Sequence, residues 1–219
     1  LTEVPDWFCC GATPAHNVDE LLSNIERAIN KDSRPVFSRD KSVTGDPPSS
    51  STGWPSEPWA ELIRPVVASD EPSLIFCPDG DRMAVARAIH RLGSRKRSPF
   101  AVLDCAALPE PILEVEMLGC VKGAVSGVPD SRAGALEIAN GGTLLVDEIT
   151  WMPHRLQKAF LRIVRHKALR RLGGVEDILF DVRVLATTNL DPDKLLSDHS
   201  IVPEFRAFFS SNVVRIPAA

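Results

Sequence analysis

Two adjacent carboxylates, Asp147 and Glu148, follow the apolar run 143–146. An unbroken apolar run of that length reads as a buried parallel strand, and ligands of open α/β sheets bind at the carboxyl edge of such strands. A carboxylate pair at that edge belongs to a nucleotide-hydrolysing arrangement, and such an arrangement needs a phosphate cradle opposite it. A cradle requires glycines that let successive N–H groups turn inward, and a lysine that carries a compact charge to the outer phosphates. Where the strand-like run 73–77 gives way to the helical pattern 82–92, the chain reads CPDGDRM, with one glycine and no lysine. Asp79 and Asp81 add negative charge where phosphate would sit. At about 4 Å and an effective dielectric near 20, each such like-charge pair costs about 4 kcal/mol. The plainer reading of Asp147 and Glu148 is therefore a polar pair retained at a hydrated strand end.

The elements that must position these residues alternate along the chain. Helices are expected over 59–68, 82–92, 109–118 and 153–166, and strands over 73–77, 100–105, 143–147, 182–188 and 212–216. Strands apolar throughout, interleaved with amphipathic helices, predict one parallel five-stranded sheet covered on both faces, a three-layer α/β fold. Its core is expected to contain Leu74, Ile75, Val102, Leu103, Leu145, Val146, Leu185 and Val213. In 153–166, Leu156, Phe160, Ile163 and Val164 share one face, and Pro153 stands in the tolerated first turn. The phrase LRRLGGVEDILF predicts a hairpin about Gly173 and Gly174.

Composition narrows the chemistry further. A net charge of -4 over 219 residues offers no general attraction to nucleic acid or to an anionic membrane. No apolar run approaches the roughly 20 residues of a membrane span, and the opening LTEVPDW lacks the basic and apolar parts of a signal segment, so a cytoplasmic location is expected. Five cysteines (Cys9, Cys10, Cys77, Cys105, Cys120) contain no C-x-x-C pair, and read as buried thiols rather than a zinc site or a disulfide framework. His90, His154, His166 and His199 are too scattered for a ligand set. The basic tract 91–97 has no interleaved aromatic residues and reads as a solvated loop.

Residues 32–57 are rich in Ser, Pro, Asp and Gly without period, which marks a linker. Before it, in 1–31, the amphipathic pattern VDELLSNIERAI follows CCGATPAHN. Together they resemble the last strand, loop and helix of a response-regulator receiver domain of a two-component system, or else an isolated amphipathic helix. After the linker, 58–219 carries in order ARAIHRLGSR, CAALPEPILEVEMLG, KGAVSGV, GALEIANGGTLLVDEI, LQKAFLRIVRHKALRRLGG, DVRVLATTN and NVVRIP. These phrases resemble the central AAA+ ATPase domain, the sigma-54 interaction domain, of bacterial enhancer-binding transcriptional activators. The resemblance implies an AAA+ P-loop-type fold, here ending before the helical lid. A chain that starts without methionine and stops at Ala219 just after a strand is expected to be a fragment or an unusual reading frame.

The resemblance also assigns roles, and several fail. Active members carry GESGTGKE, which falls without gaps on 76–83, so its glycines meet Phe76, Asp79 and Asp81, and its lysine meets Arg82. Arginine has a longer planar head and does not replace that lysine by default. Gly80, Asp81, Arg82 and Met83 thus form a degenerate nucleotide loop. The asparagine that restrains the catalytic glutamate becomes Asp104, which has no amide to donate. The family's two arginines near its end fall on Glu204 and Ser210, leaving Arg206, two residues displaced, as the arginine-finger candidate. Asp147 (the Mg2+ ligand), Glu148 (which orients the attacking water) and the sensor-like Asn189 remain as the catalytic set. The sigma-contacting loop GAFTGA becomes GAVSGV, comprising Gly123, Ala124, Val125, Ser126, Gly127 and Val128, with no aromatic anchor.

Three readings follow. The first is a regulator acting through protein contacts as a pseudo-ATPase, with no cofactor expected. Its partners would be sigma-54 RNA polymerase, related activator subunits or further copies of itself, with no direct nucleic-acid or membrane contact. The second is a working ATPase with a variant loop, using ATP and Mg2+. The third is a gene remnant without selected function.

Overall fold

The computed structural model describes residues 59–78, 82–126, 128–196 and 199–217. The receiver-like segment 1–31, the linker 32–57, and Asp79, Gly80, Asp81 and Gly127 lie outside the described residues. In chain order the elements are α1 (Arg64–Val67), β1 (Ser73–Phe76), α2 (Arg82–Leu92), β2 (Phe100–Asp104), α3 (Glu110–Leu118), β3 (Gly119–Cys120), β4 (Arg132–Ala133) and α4 (Ala135–Ile138). They continue with β5 (Thr143–Asp147), α5 (His154–His166), β6 (Ala168–Leu169), β7 (Ile178–Leu179), β8 (Arg183–Thr188), α6 (Pro203–Phe209) and β9 (Val213–Arg215). Among the described residues, short 3-10 turns lie at Ile149–Trp151 and Lys194–Leu196.

The expected parallel sheet is present, in the order β2-β5-β8-β1-β9. All four pairings are parallel, and β5 lies inside it between β2 and β8. Alternation of side chains along each strand divides the core into two layers. Leu74, Leu103, Leu144, Val146 and Ala186 pack with α3, α4, α5 and α6. Ile75, Leu145, Leu185 and Val214 pack with α1 and α2 on the other face. Each fully buried Leu or Ile contributes about 1.5–3 kcal/mol by leaving water; β5 carries Leu144 and Leu145, β1 carries Leu74 and Ile75, and β8 carries Leu185.

Six of the eight expected core residues are buried; Val102 and Val213 are not. Both stand on edge strands, where cover comes from one neighbour only. Val213 pairs with Leu74 in β9 and is 39% exposed, while Val102 in β2 is half-buried. The helix expected over 59–68 contracts to Arg64–Val67. Pro65 has no N–H to give to a preceding turn, and 59–64 make i to i+3 bonds instead, Leu62 N–H to Trp59 O and Arg64 N–H to Glu61 O. Pro109 and Pro153 cap α3 and α5 from outside rather than joining their first turns. The predicted hairpin forms as β6 against β7.

The basic tract is only partly solvated. Lys96 and Arg97 are exposed, but Arg95 is held by Asp181 at 2.8 Å and Asp70 at 3.5 Å. Cys77, Cys105 and Cys120 are buried free thiols, as expected. Among the described residues no helix is long and apolar enough to cross a membrane.

Candidate functional site

The carboxyl edge of the sheet brings the candidate residues together because adjacent parallel strands end in register. Asp104 of β2 is the register partner of Asp147 of β5. The β5–β8 register matches Val146 with Ala186, so one step further it sets Asp147 beside Thr187. The Thr187 hydroxyl donates to Asp147 Oδ1 and accepts the Glu148 backbone N–H at 3.0 Å. Thr187 was not singled out from the sequence. The strand register, rather than any local motif, is the signal that identifies it.

Glu148 ends the strand in the left-handed region, φ 53° and ψ 62°. For a residue with a side chain that conformation costs about 1–2 kcal/mol, and such strain is typical of functional sites. Its carboxylate is buried, with its side chain 6% exposed. Burial raises its pKa, opposed by the charge of Arg82 and the Asn189 backbone amide and reinforced by Asp147. Asn189 itself is exposed, so its contribution to the cluster is its main chain.

Arg82, the first residue of α2, reaches back into this edge. Its Nη1 forms an ion pair with Glu148 Oε1, and its Nε lies 3.8 Å from Asp147 Oδ1. The residue aligned with the family's lysine is therefore engaged with the two carboxylates. Asp104 Oδ1 accepts the N–H groups of Ala106 and Ala107, both at 3.0 Å, so it shapes its own turn. Cys105 sits among Asp104, Asp147 and Glu148. Burial first, and then those three charges, push its thiol pKa up, which keeps it neutral and unreactive. Met83 is half-buried against the α1–α2 side of the core. Among the described residues no group of three His, Cys, Asp or Glu side chains could hold a metal ion.

Arg206, the arginine-finger candidate, donates from Nη1 to Leu195 O at 2.8 Å. Glu204 and Ser210 are exposed.

The GAVSGV loop springs from the β3–β4 hairpin, whose stem pairs Gly119 with Ala133 and Cys120 with Arg132. Gly119 has φ +75°, and a Cβ there would lie 2.5 Å from Arg132 O, so the stem closes only around glycine. Arg132 forms an ion pair with the buried Glu116 of α3 at 2.5 Å. The loop base also binds the second hairpin, through Val121 N–H to Leu172 O at 3.0 Å and Leu172 N–H to Gly119 O at 2.9 Å. Ala124 and Ser126 are exposed, and Val125 and Val128 half-buried. Beside this loop the second hairpin exposes Val175 (85%) and Leu179 (74%). The sequence missed the β3–β4 stem because two-residue strands carry no readable period.

Comparison with known proteins places this geometry among relatives. A family model described as the Sigma-54 interaction domain matches residues 56–216. The chain is 41% identical over 219 residues to regulatory protein AtoC of Escherichia coli, covering 91% of this chain and 44% of that protein. It is 34% identical over 180 residues to transcriptional regulatory protein FlbD of Caulobacter vibrioides, covering 82% of this chain and 37% of that protein. Among solved structures, NtrX from Brucella abortus in complex with ATP superposes with a TM-score of 0.62 at 28% identity, covering 72% of this chain and 36% of that one. A second NtrX structure gives a TM-score of 0.67 at 27% identity, covering 91% and 44%. The chain thus spans less than half the length of each of these relatives.

Proposed function

The chain belongs to the Sigma-54 interaction domain family, and from that membership we propose a sigma-54-activator-like regulatory domain that works through protein contacts and has lost ATP turnover. The observation that carries the second half is the engagement of Arg82 with Glu148 and Asp147. A nucleotide-binding site would direct its cation outward to the phosphates, and would leave the carboxylates for Mg2+ and water. Here the one cation is held by the two carboxylates. The sequence of the loop supports the same reading, since it supplies aspartates where glycines belong. Calorimetric titration of the chain with Mg-ATP is expected to give no saturable heat up to millimolar nucleotide. Submillimolar binding abolished by Arg82→Ala would establish the variant-enzyme reading in its place.

The contact surface in this proposal is the GAVSGV loop with the adjoining hairpin, and its partner is sigma-54 RNA polymerase or a related activator subunit. Val125 supplies far less contact area than an aromatic ring, so binding by the natural loop is weak. Val125→Phe is expected to tighten binding to sigma-54 by about 1–2 kcal/mol, about tenfold in Kd. Equal retention of the natural and Phe variants on immobilised sigma-54 would refute the role given to Val125. The net charge of -4 supports a reading in which this segment makes no direct nucleic-acid contact and acts in the cytoplasm through protein partners.

A further inference from the structure

We propose that Arg82 is the resident cation of this domain, a covalently tethered guanidinium that fills the place between Asp147 and Glu148 where family relatives would need a divalent ion. The inference rests on the pseudo-ATPase reading and deepens it, from a site that is impaired to one that is internally closed.

The geometry is that of a cation in a carboxylate cleft. Nη1 takes Glu148 Oε1, Nε faces Asp147 Oδ1 at 3.8 Å, and the three side chains are 26%, 6% and 19% exposed in the order Arg82, Glu148, Asp147. The Thr187 hydroxyl is bonded to that same Asp147 oxygen. Both carboxylate oxygens of Glu148 are buried and neither takes a hydrogen bond of regular geometry, so Arg82 holds Oε1 as an ion pair. Arg82 is not drawn there by its own helix, because the amino end of α2 carries partial positive charge and repels a guanidinium. The carboxylates hold it. A tethered partner competes at a high effective concentration, which a free cation at millimolar levels does not match.

Removing the guanidinium would leave two carboxylates and a buried, side-chain-unpartnered oxygen at one strand end. Hard oxygen donors of this kind suit Mg2+, Mn2+ or Ca2+. The test therefore uses the metal alone, without nucleotide, on the full chain. Mn2+ binding is read by electron paramagnetic resonance, and thermal stability is read with and without millimolar MgCl2, MnCl2 or CaCl2. The wild type is expected to show neither Mn2+ binding nor a cation-dependent rise in Tm. Arg82→Ala is expected to bind Mn2+ at least about tenfold more tightly than wild type and to regain Tm when cation is added. Arg82→Lys, which keeps a tethered charge, should behave like the wild type. Adding Glu148→Gln to Arg82→Ala should abolish the cation response.

Should Arg82→Ala fold only in the presence of divalent ion, that result supports the proposal directly. Equal cation responses in wild type and Arg82→Ala would overturn it, as would a folded Arg82→Ala that ignores all three ions. These outcomes are separate from failure of the pseudo-ATPase reading, which requires Mg-ATP binding by the wild type.

Discussion

Gly142→Ala is expected to lose about 4 kcal/mol or more of folding stability, whereas Gly141→Ala one residue earlier should lose only about 1–2 kcal/mol. The two glycines are required for different reasons. Gly141 has φ +77° with open space where a Cβ would stand, so alanine there meets only the backbone penalty of the left-handed region. At Gly142 a Cβ would lie 1.9 Å from Pro99 O and 2.8 Å from Pro99 C. Those are main-chain atoms, which no rotamer change can move aside. Pro99 O accepts the Thr143 N–H at 2.9 Å, the bond that starts the β2–β5 pairing. Gly142 O in turn accepts the Arg183 N–H at 3.0 Å, where the β5–β8 pairing begins. Displacing this strand entry disturbs both pairings of β5 at once. For a domain with the usual 5–15 kcal/mol of stability, roughly, that is a large share of the total. Urea unfolding followed by circular dichroism measures both variants, and equal midpoints for the two would contradict the steric account.

Acid should destabilise the domain through His90 by about 3 kcal/mol between neutral pH and pH 4. His90 is 2% exposed, its Nδ1 lies 2.9 Å from Thr143 Oγ1, and its ring sits 5.1 Å from that of Phe100. Burial depresses its pKa to about 4, helped by the charges of Arg183 and Arg91 and opposed by a backbone hydrogen bond at Ser98. The unfolded chain takes up this proton near pH 6.5 and the folded chain only near 4. Between those values the unfolded state binds more protons, so stability is full above the upper value and falls by about 1.4 kcal/mol per unit as pH drops. Below the folded pKa the loss is complete and no longer grows. His90→Gln keeps a group able to bond Thr143 but cannot take up the proton. Comparing the pH profiles of wild type and variant isolates the effect from the carboxylates, and parallel profiles would show that His90 contributes nothing.

Much of the fold was legible because burial leaves a local trace. Thr143, Leu144, Leu145 and Val146 are buried on both faces of the sheet, so they read as one apolar run. Leu156, Phe160 and Ile163 recur at helical spacing and do line one buried face of α5. The failures lie where the trace is weak or depends on neighbours. Val102 and Val213 have strand character, yet their exposure is decided by standing at the edges of the sheet. The Glu116–Arg132 pair that braces the loop stem is invisible locally, since each charge taken alone reads as a solvated one.

By itself the sequence determined the alternating elements, the carboxylate pair at a strand end, and a loop before α2 with a single glycine and no lysine. Each is a property of residue type and short-range spacing. The strand order β2-β5-β8-β1-β9 was decided only by tertiary packing, and it alone sets Asp104, Asp147 and Thr187 side by side. The partner of Arg82 was likewise decided there. A guanidinium on a flexible stem seeks the nearest negative charge in three dimensions, and chain packing, not periodicity, brought Glu148 within its reach.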